Sequence, residues 1–198
     1  KEYPVFLLPQ SRRRVRRIVV DAGHGGKDPG TTSGSVYEKN LVLDICLRIS
    51  RHLRRKGIEV ELTREDDRFI DLSDRARHPG RTGSELFISV HVNASVQTGV
   101  RGFESIIPDL VGTPDRRMER SRRLAGMIQE CLSRVHPGRN RGVRKDVRGL
   151  RVLRKATVPA VLVEVGFLSH PKEREWLQRE SSREAIARAI VEGVVGFD

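Results

Sequence analysis

Four polar residues lie where packing alone gives them little to do, and their types suggest one chemistry. His24 follows the apolar run that ends at Asp21, within the glycine-rich sequence DAGHGGKDPG. His91 lies near the end of LFISVHVNA, Glu164 interrupts PAVLVEVGF, and Glu38 opens a long helical pattern. A carboxylate buried in an apolar strand without a partner is costly, so Glu164 in particular requires a functional explanation.

Two imidazoles and two carboxylates are the side chains from which a catalytic zinc site can be built. Two histidines with one glutamate are an established zinc ligand set that leaves one position for water. A further carboxylate can take a proton from that water and pass it to a leaving group. Ordinary alternatives stay open: Glu38 can stabilise a helix start, and His91 can be a hydrogen-bonded core histidine. No HxxxH-type motif is present, so a metal site must assemble from distant segments.

The segments that must position these residues alternate between strand and helix patterns. Short apolar runs rich in β-branched residues predict strands, and apolar residues at a 3.6-residue period predict helices. Gly57 follows the clearest helical stripe and is suited to ending it. The predicted strands are Arg17–Asp21, Ile58–Thr63, Leu86–Val92, Gly102–Ile107, Arg151–Arg154 and Ala160–Val165. The predicted helices are Glu38–Lys56, Pro114–Val135 and Lys172–Val195, the last with a break near Ser181–Ser182, and residues 23–36 are predicted to form a loop.

This alternation predicts a single three-layer α/β domain, with a mostly parallel or mixed central sheet flanked by helices. Residues 1–16 are expected to form an N-terminal arm or linker, and residues 17–198 the catalytic domain. In such folds functional residues gather outside the carboxyl ends of the strands. The four candidate residues therefore have a route to one edge of one sheet.

Composition limits the classes of partner. The 198 residues carry a formal net charge of +12, spread along the chain, which favours an anionic partner but also fits a solvated arginine-rich surface. Aromatic residues make up 5%, too few for base-stacking platforms, and no nucleic acid partner is expected. No apolar run is long enough to span a membrane, and no secretory signal is visible. Cys46 and Cys131 are expected to be buried free thiols, with a disulfide as the alternative.

The order of the sequence blocks resembles a known family. The blocks VVDAGHGGKDPG, EKN, LTRxxD, LFISVHVNA, GFE, NRGVR and PAVLVEVGFLSHPKE follow one another as in the zinc-dependent N-acetylmuramoyl-L-alanine amidases of the Amidase_3 group. The resemblance covers roughly residues 17–196. The combination of blocks is highly specific, although no single block is.

This resemblance implies a role for each candidate residue. His24, Glu38 and His91 match the positions that bind one zinc ion per chain, and Glu164 matches the catalytic glutamate. The implied reaction is hydrolysis of the amide between the lactyl group of N-acetylmuramic acid and the L-alanine of the peptidoglycan stem peptide. Zinc-activated water is the implied nucleophile, with the glutamate as general base and acid.

Weaker expectations concern residues around the centre. Asn93 is a candidate for orienting substrate, and Arg141, in the family's NRGV segment, for binding a stem-peptide carboxylate. Asp21 is a candidate either to orient a zinc-bound histidine or to cap the loop. The implied partners are peptidoglycan and other anionic cell-wall polymers, with an upstream targeting domain or a protein activator as further options. The implied location is the periplasm or cell wall, after export.

Three features depart from the family pattern. The segment from Leu72 to Gly80 lacks the usual Ala-Asn pair, and His170 replaces the usual asparagine and is given no role. Only the short stretch Pro108–Glu119 occupies the place where some relatives carry a helix that blocks the zinc site. We therefore expect an open active site.

Two other functions keep part of this interpretation. A zinc peptidase acting within stem peptides would need the same ligands and base, and only the family resemblance favours the sugar-proximal amide. A non-catalytic basic binding module would explain the charge through phosphate contacts, but leaves Glu164 unexplained.

Overall fold

The central sheet contains an apolar strand that is buried on both faces. Five of the six residues of Arg17–Ala22 are buried, as a strand inside a parallel sheet requires.

The computed structural model describes residues 14–109 and 116–197. The strands are β1 (Arg17–Ala22), β2 (Thr32–Ser33), β3 (Val36–Tyr37), β4 (Glu59–Leu62), β5 (Leu86–Asn93), β6 (Phe103–Ile107), β7 (Asn140–Lys145) and β8 (Ala160–Phe167). The helices are α1 (Glu38–Arg55), α2 (Leu72–Thr82), α3 (Arg116–Ser133), α4 (Arg151–Arg154), α5 (Pro171–Gln178) and α6 (Glu180–Val195).

The main sheet has six strands in the order β4-β1-β5-β8-β6-β7, and β2 and β3 form a separate antiparallel pair. Neighbouring strands of the main sheet are parallel, except that β6 runs antiparallel to β8. The three strands that lead into candidate residues, β1, β5 and β8, are therefore adjacent and parallel. Their carboxyl ends meet at one edge of the sheet, where this class of fold places its sites.

The sheet separates two layers of helices. Side chains alternate across a strand, so Ile18 and Val20 of β1 enter the larger core cluster while Val19 enters the smaller one. The larger cluster packs the sheet against α1, α3 and α6, and the smaller cluster includes Val152 and Leu153 of α4. The predicted three-layer α/β domain with a mixed central sheet is confirmed.

One predicted strand is a helix in the structure, and one strand of the sheet is absent from the prediction. Arg151–Arg154 forms the short helix α4 and not a strand, because its two central residues, Val152 and Leu153, are both buried on one side. A strand would point consecutive residues to opposite faces. The strand β7 is absent from the prediction. It lies at the edge of the sheet, and its polar sequence NRGVRK shows no alternation of apolar residues.

Helix α2 was not predicted, because Pro79 and Gly80 lie inside it and both residues disfavour helix interiors. Its start is stabilised by Asp71, whose side chain accepts a hydrogen bond from the Ser73 backbone at 2.7 Å. The predicted break in the last helix is present but occurs at Arg179, where the backbone is extended between α5 and α6.

The structure also bears on Gly57, on the two cysteines and on the start of the domain. Gly57 follows α1 with φ +78, the left-handed conformation of a helix-ending glycine. Cys46 and Cys131 are free and buried, as predicted. Val15 is 1% exposed and belongs to the core, just before the expected domain start, and residues 1–13 of the expected arm lie outside the described residues. Within the described ranges, no helix is both long enough and apolar enough to cross a membrane.

Candidate active site

His24 is held in an unusual backbone conformation directly after β1. Its φ is +60, and among the described residues it is the only one other than glycine with positive φ. The turn closes through paired backbone hydrogen bonds between Gly25 and Asp28. The carboxylate of Asp28 lies 2.8 Å from Nδ1 of His24. This contact directs the other ring nitrogen, Nε2, toward Glu38, 3.1 Å away.

Glu38 begins α1 and is 3% exposed. Its Oε2 accepts a hydrogen bond from the Thr31 backbone at 2.8 Å, and its Oε1 accepts one from the Val92 backbone at 2.9 Å. Burial opposes ionisation, but hydrogen bonds and charge interactions with His24 and His91 outweigh it and hold the pKa of Glu38 well below its usual range. The side chain is therefore a fixed carboxylate between two imidazoles.

His91 comes from β5 and turns its Nδ1 toward the same carboxylate oxygen, 3.0 Å away. The rings of His24 and His91 meet edge to face, with centroids 4.9 Å apart. The space beside Gly23 is filled by the His91 ring: a Cβ at Gly23 would lie 2.3 Å from its Cε1. Glycine at this position therefore allows the His91 ring to pack closely against the end of β1.

One donor atom from each of His24, Glu38 and His91 could coordinate a single metal ion. The three atoms lie within 4.8 Å of one another. In the part of the chain that the structure describes, no second group of histidine, cysteine or carboxylate side chains meets this criterion. Two imidazole nitrogens and one carboxylate oxygen suit zinc or a similar transition metal. The residues present therefore fit a metal centre.

Glu164 lies beside this group. On β8 it pairs in register with His91 of β5 and with Glu104 of β6. It is 6% exposed, and its Oε2 is buried without a hydrogen-bond partner. Burial raises the pKa of Glu164 to about 7, although the charge of His91 opposes the shift. The structure thus holds a carboxyl group that can exchange a proton near neutral pH, next to three candidate metal ligands.

These side chains line one cleft of about 500 Å³. Its other walls include Asn93, Arg148 and Leu150. The described residues of the stretch Pro108–Glu119 do not line it. Residues 110–115 of that stretch lie outside the described ranges, so the open active site stays a prediction.

Comparison with known proteins identifies the family. Residues 18–195 match the family described as N-acetylmuramoyl-L-alanine amidase, Amidase_3. The chain belongs to this amidase family.

Individual members of the amidase family are similar over most of the chain. A sporulation-specific N-acetylmuramoyl-L-alanine amidase of Bacillus subtilis is 32% identical over 180 residues, which is 90% of this chain and 66% of that relative's own length. An N-acetylmuramoyl-L-alanine amidase structure from Clostridium difficile 630 has a TM-score of 0.85 at 31% identity, covering 93% of this chain and 97% of that one. The CwlD amidase of Clostridioides difficile, solved in complex with the GerS lipoprotein, has a TM-score of 0.83 at 32% identity, covering 92% and 98%.

The weaker sequence candidates fall in different places. Asn93 lines the cleft, and its Nδ2 donates to Glu104 at 3.1 Å. Arg141 is not among the cleft-lining residues: its Nε donates to Glu104 at 3.1 Å, and its guanidinium lies over the Phe167 ring. His170, given no role from the sequence, caps the start of α5.

Asp21 does not contact either candidate metal-ligating histidine through a hydrogen bond in the described structure. It is fully buried and accepts hydrogen bonds from Thr63, Ser89 and Arg75. Asp28, and not Asp21, contacts a ring nitrogen of His24.

Sequence reasoning did not select Asp28, Glu104 or Arg148. Asp28 lies in the quoted glycine-rich block, four residues after His24, and Glu104 is the acidic residue of the block GFE, so both had a local signal. Arg148 is one of many arginines, and nothing in its local sequence separates it from the rest.

Proposed function

We propose that this protein is a zinc-dependent N-acetylmuramoyl-L-alanine amidase that acts on peptidoglycan. The hydrolysed bond is the amide between the lactyl group of N-acetylmuramic acid and the first L-alanine of the stem peptide. The observation that carries the proposal is the buried, unpartnered Oε2 of Glu164 in the same cleft as the group formed by His24, Glu38 and His91. The fold, the family and the relatives support the same activity.

His24, Glu38 and His91 would hold one zinc ion per chain. When bound, zinc lowers the pKa of water and polarises a carbonyl oxygen. The contact between Asp28 and Nδ1 of His24 supports this assignment, because a proton held there leaves Nε2 with its lone pair free. The backbone donors that fix both oxygens of Glu38 keep that carboxylate from rotating away.

Glu164 would act as general base and then as general acid. It accepts the proton of the attacking water and delivers it to the nitrogen of the departing alanine. Without a metal ion, burial raises the pKa of Glu164 to about 7, which makes this carboxylate a stronger base than an exposed glutamate. The cleft that holds Glu164 has a volume of about 500 Å³, enough for part of a glycan-linked peptide.

The remaining cleft residues would bind substrate. Asn93 lies in the cleft wall, where its amide is oriented by Glu104 and can contact the peptide. Arg141, bound to the other oxygen of Glu104, would fix that carboxylate and so act on Asn93 from behind. A stem-peptide carboxylate would instead meet Arg148, which lines the cleft.

The substrate also sets the proposed location and partners. Peptidoglycan lies outside the cytoplasmic membrane, so the working protein would be exported to the periplasm or cell wall. Other anionic wall polymers would attract its positive charge. Since the CwlD relative is seen with a lipoprotein, a protein activator is a further proposed partner.

A zinc peptidase acting within the stem peptide is the alternative function, because its ligands and base would be the same. The named activities of the relatives favour the sugar-proximal amide. A non-catalytic basic module is disfavoured, since it gives no reason to bury Glu164 without a partner.

Digestion of purified peptidoglycan tests the proposal. Wild-type protein with zinc should release stem peptides that carry a new N-terminal alanine, detected by mass analysis of the soluble products. A chelator should abolish this release. Glu164→Gln should reduce the rate by about 10²- to 10⁴-fold, the contribution expected of a general base, while leaving zinc content unchanged.

The products distinguish the alternatives. New termini within the stem peptide would show that the protein is a zinc peptidase and not an amidase. Full activity in Glu164→Gln would contradict the role of Glu164. Absence of any product from folded, zinc-loaded wild-type protein, with and without cell extract as a source of activator, would count against the enzymatic function.

A further inference from the structure

The turn that carries His24 is unfavourable on its own. Its residues His24, Gly25 and Gly26 all have positive φ, at +60, +126 and +57. Glycine adopts this region freely, but histidine does so at a cost in free energy. The surrounding structure must therefore stabilise the conformation of His24.

Two buried arginines supply that stabilisation. Arg64 and Arg75 are 1% and 2% exposed. Arg64 donates to the carbonyl oxygens of Ala22 and Gly23, at 2.9 and 2.8 Å. Arg75 donates to the carbonyls of Ala22 and His24. Guanidinium groups thus donate hydrogen bonds to the carbonyls of three successive residues, from Ala22 at the end of β1 to His24.

Arg75 is the one of the two that reaches the carbonyl of His24 itself, and it is firmly anchored. Its Nη1 donates to Asp21 at 2.7 Å, and its Nε donates to the Ile70 carbonyl at 3.0 Å. Asp21 is in turn fixed by the hydroxyls of Thr63 and Ser89, both at 2.6 Å. The guanidinium therefore has one orientation, which it passes to the backbone of His24.

We propose that Arg75 is a positioning residue of the metal centre: by holding the His24 carbonyl, it fixes the left-handed backbone that points Nε2 of His24 toward Glu38. This inference rests on the proposed metal site and adds a residue that touches neither metal nor substrate. Without the guanidinium, His24 can relax to an ordinary φ, which moves its imidazole away from the other two donor atoms.

Zinc affinity, measured by competition with a chromophoric chelator, tests the proposal independently of amidase activity. Arg75→Lys keeps the positive charge beside Asp21, but a single ammonium cannot reach Asp21, Ala22 and His24 together in the planar geometry of a guanidinium. We expect zinc affinity to fall about 10- to 100-fold, the range for loss of a group that orients a metal ligand. The electronic spectrum of the cobalt-substituted protein should also change, because the ligand geometry changes.

Arg48→Lys is the matched control. Arg48 is also buried, at 9% exposure, and its guanidinium binds Asp44, Glu180 and Glu184 on α1 and α6. Its replacement should lower thermal stability and leave zinc affinity and the cobalt spectrum unchanged. A general loss of stability therefore cannot imitate the expected result.

The outcomes separate the two levels of inference. Unchanged zinc affinity in folded Arg75→Lys would overturn the role of Arg75 and leave the proposed function intact. Failure of wild-type protein to bind zinc would overturn the metal site itself. If Arg75→Lys does not fold, Asp21→Asn is the second variant, because it loosens the anchor of Arg75 with little change in volume. A reduced zinc affinity in Asp21→Asn supports the proposal, and an unchanged zinc affinity rejects it.

Discussion

The absence of a side chain at Gly23 determines how close the His91 ring can come to β1. The ideal Cβ of any other residue there would lie between 2.3 and 2.7 Å from three atoms of the imidazole. The ring cannot give way without carrying its Nδ1 away from Glu38, which is 3.0 Å distant. The site therefore requires a residue without a Cβ at position 23.

Gly23→Ala should therefore weaken zinc binding at least about tenfold, as expected when a metal ligand is displaced from its orientation. Chelator competition on the purified variant measures this. Gly126→Ala is the control, because a Cβ at Gly126 meets no heavy atom within 4 Å and the residue lies inside helix α3. That change should leave zinc affinity unaltered and raise stability by up to about 1 kcal/mol. Equal zinc affinity in both variants would refute the packing argument.

At the residue scale, the sequence predicted the side chains that break a pattern. Glu164 stands out because it interrupts an apolar strand, and His24 because it lies among glycines. The side chains that support them were not predicted. Glu104 on β6 contacts Arg141 because β7 lies beside β6, and it contacts Asn93 because β5 lies only one strand away, across β8. Such pairings depend on strand order, which local sequence does not specify.

At the level of elements, His136 joins the end of α3 to β8. Its Nε2 donates to the Val165 carbonyl at 3.0 Å, and its Nδ1 accepts from the Gly138 backbone at 2.8 Å. The ring packs between Phe103 and Trp176. Burial lowers the pKa of His136 to about 4, although the hydrogen bond to the Val165 carbonyl opposes the shift. The histidine is therefore neutral in the folded protein down to acidic pH.

This depressed pKa predicts acid sensitivity. In the unfolded chain the imidazole takes up a proton near pH 6.5, whereas the folded protein does so only near pH 4. The unfolded state therefore binds more protons between these values, and stability falls as pH drops through this window. The shift corresponds to about 3 kcal/mol. Urea unfolding of wild type and His136→Asn at pH 7.5 and 4.0 measures it, because carboxylate contributions common to both proteins cancel. The variant should lose less stability than wild type by about this amount, and an equal loss in both would reject the assignment.

The predictability of elements followed the strength of their apolar patterns. Strands β1, β5 and β8 and helix α1 are continuous apolar runs or clear stripes, and all were predicted. Helix α2 contains Pro79 and Gly80, and the polar edge strand β7 has no apolar face. Tertiary contacts decide both: the buried Arg75 ties α2 to the end of β1, and β7 pairs along β6.

At the level of the whole molecule, the excess of positive charge is arranged unevenly. Several surface arginines are paired with acidic neighbours, as where Arg134 contacts Glu130 and Glu192. Arg148, at the cleft, has no acidic partner within salt-bridge distance among the described residues. With a formal net charge of +12, the protein as a whole attracts anionic polymers.

Binding to isolated cell-wall sacculi should therefore weaken as salt rises. Charges that attract one another over about 10 Å at 0.1 M salt are screened within about 3 Å at 1 M, so a long-range positive field loses its reach. Sedimentation of Glu164→Gln with sacculi measures the bound fraction without digestion of the polymer. Sacculi stripped of accessory anionic polymers separate the two sources of negative charge: binding that persists and stays salt-sensitive reports the stem-peptide carboxylates, whereas lost binding reports the accessory polymers. A bound fraction that is constant from low to high salt would show that the net charge does not drive association, and that contacts within the cleft alone account for it.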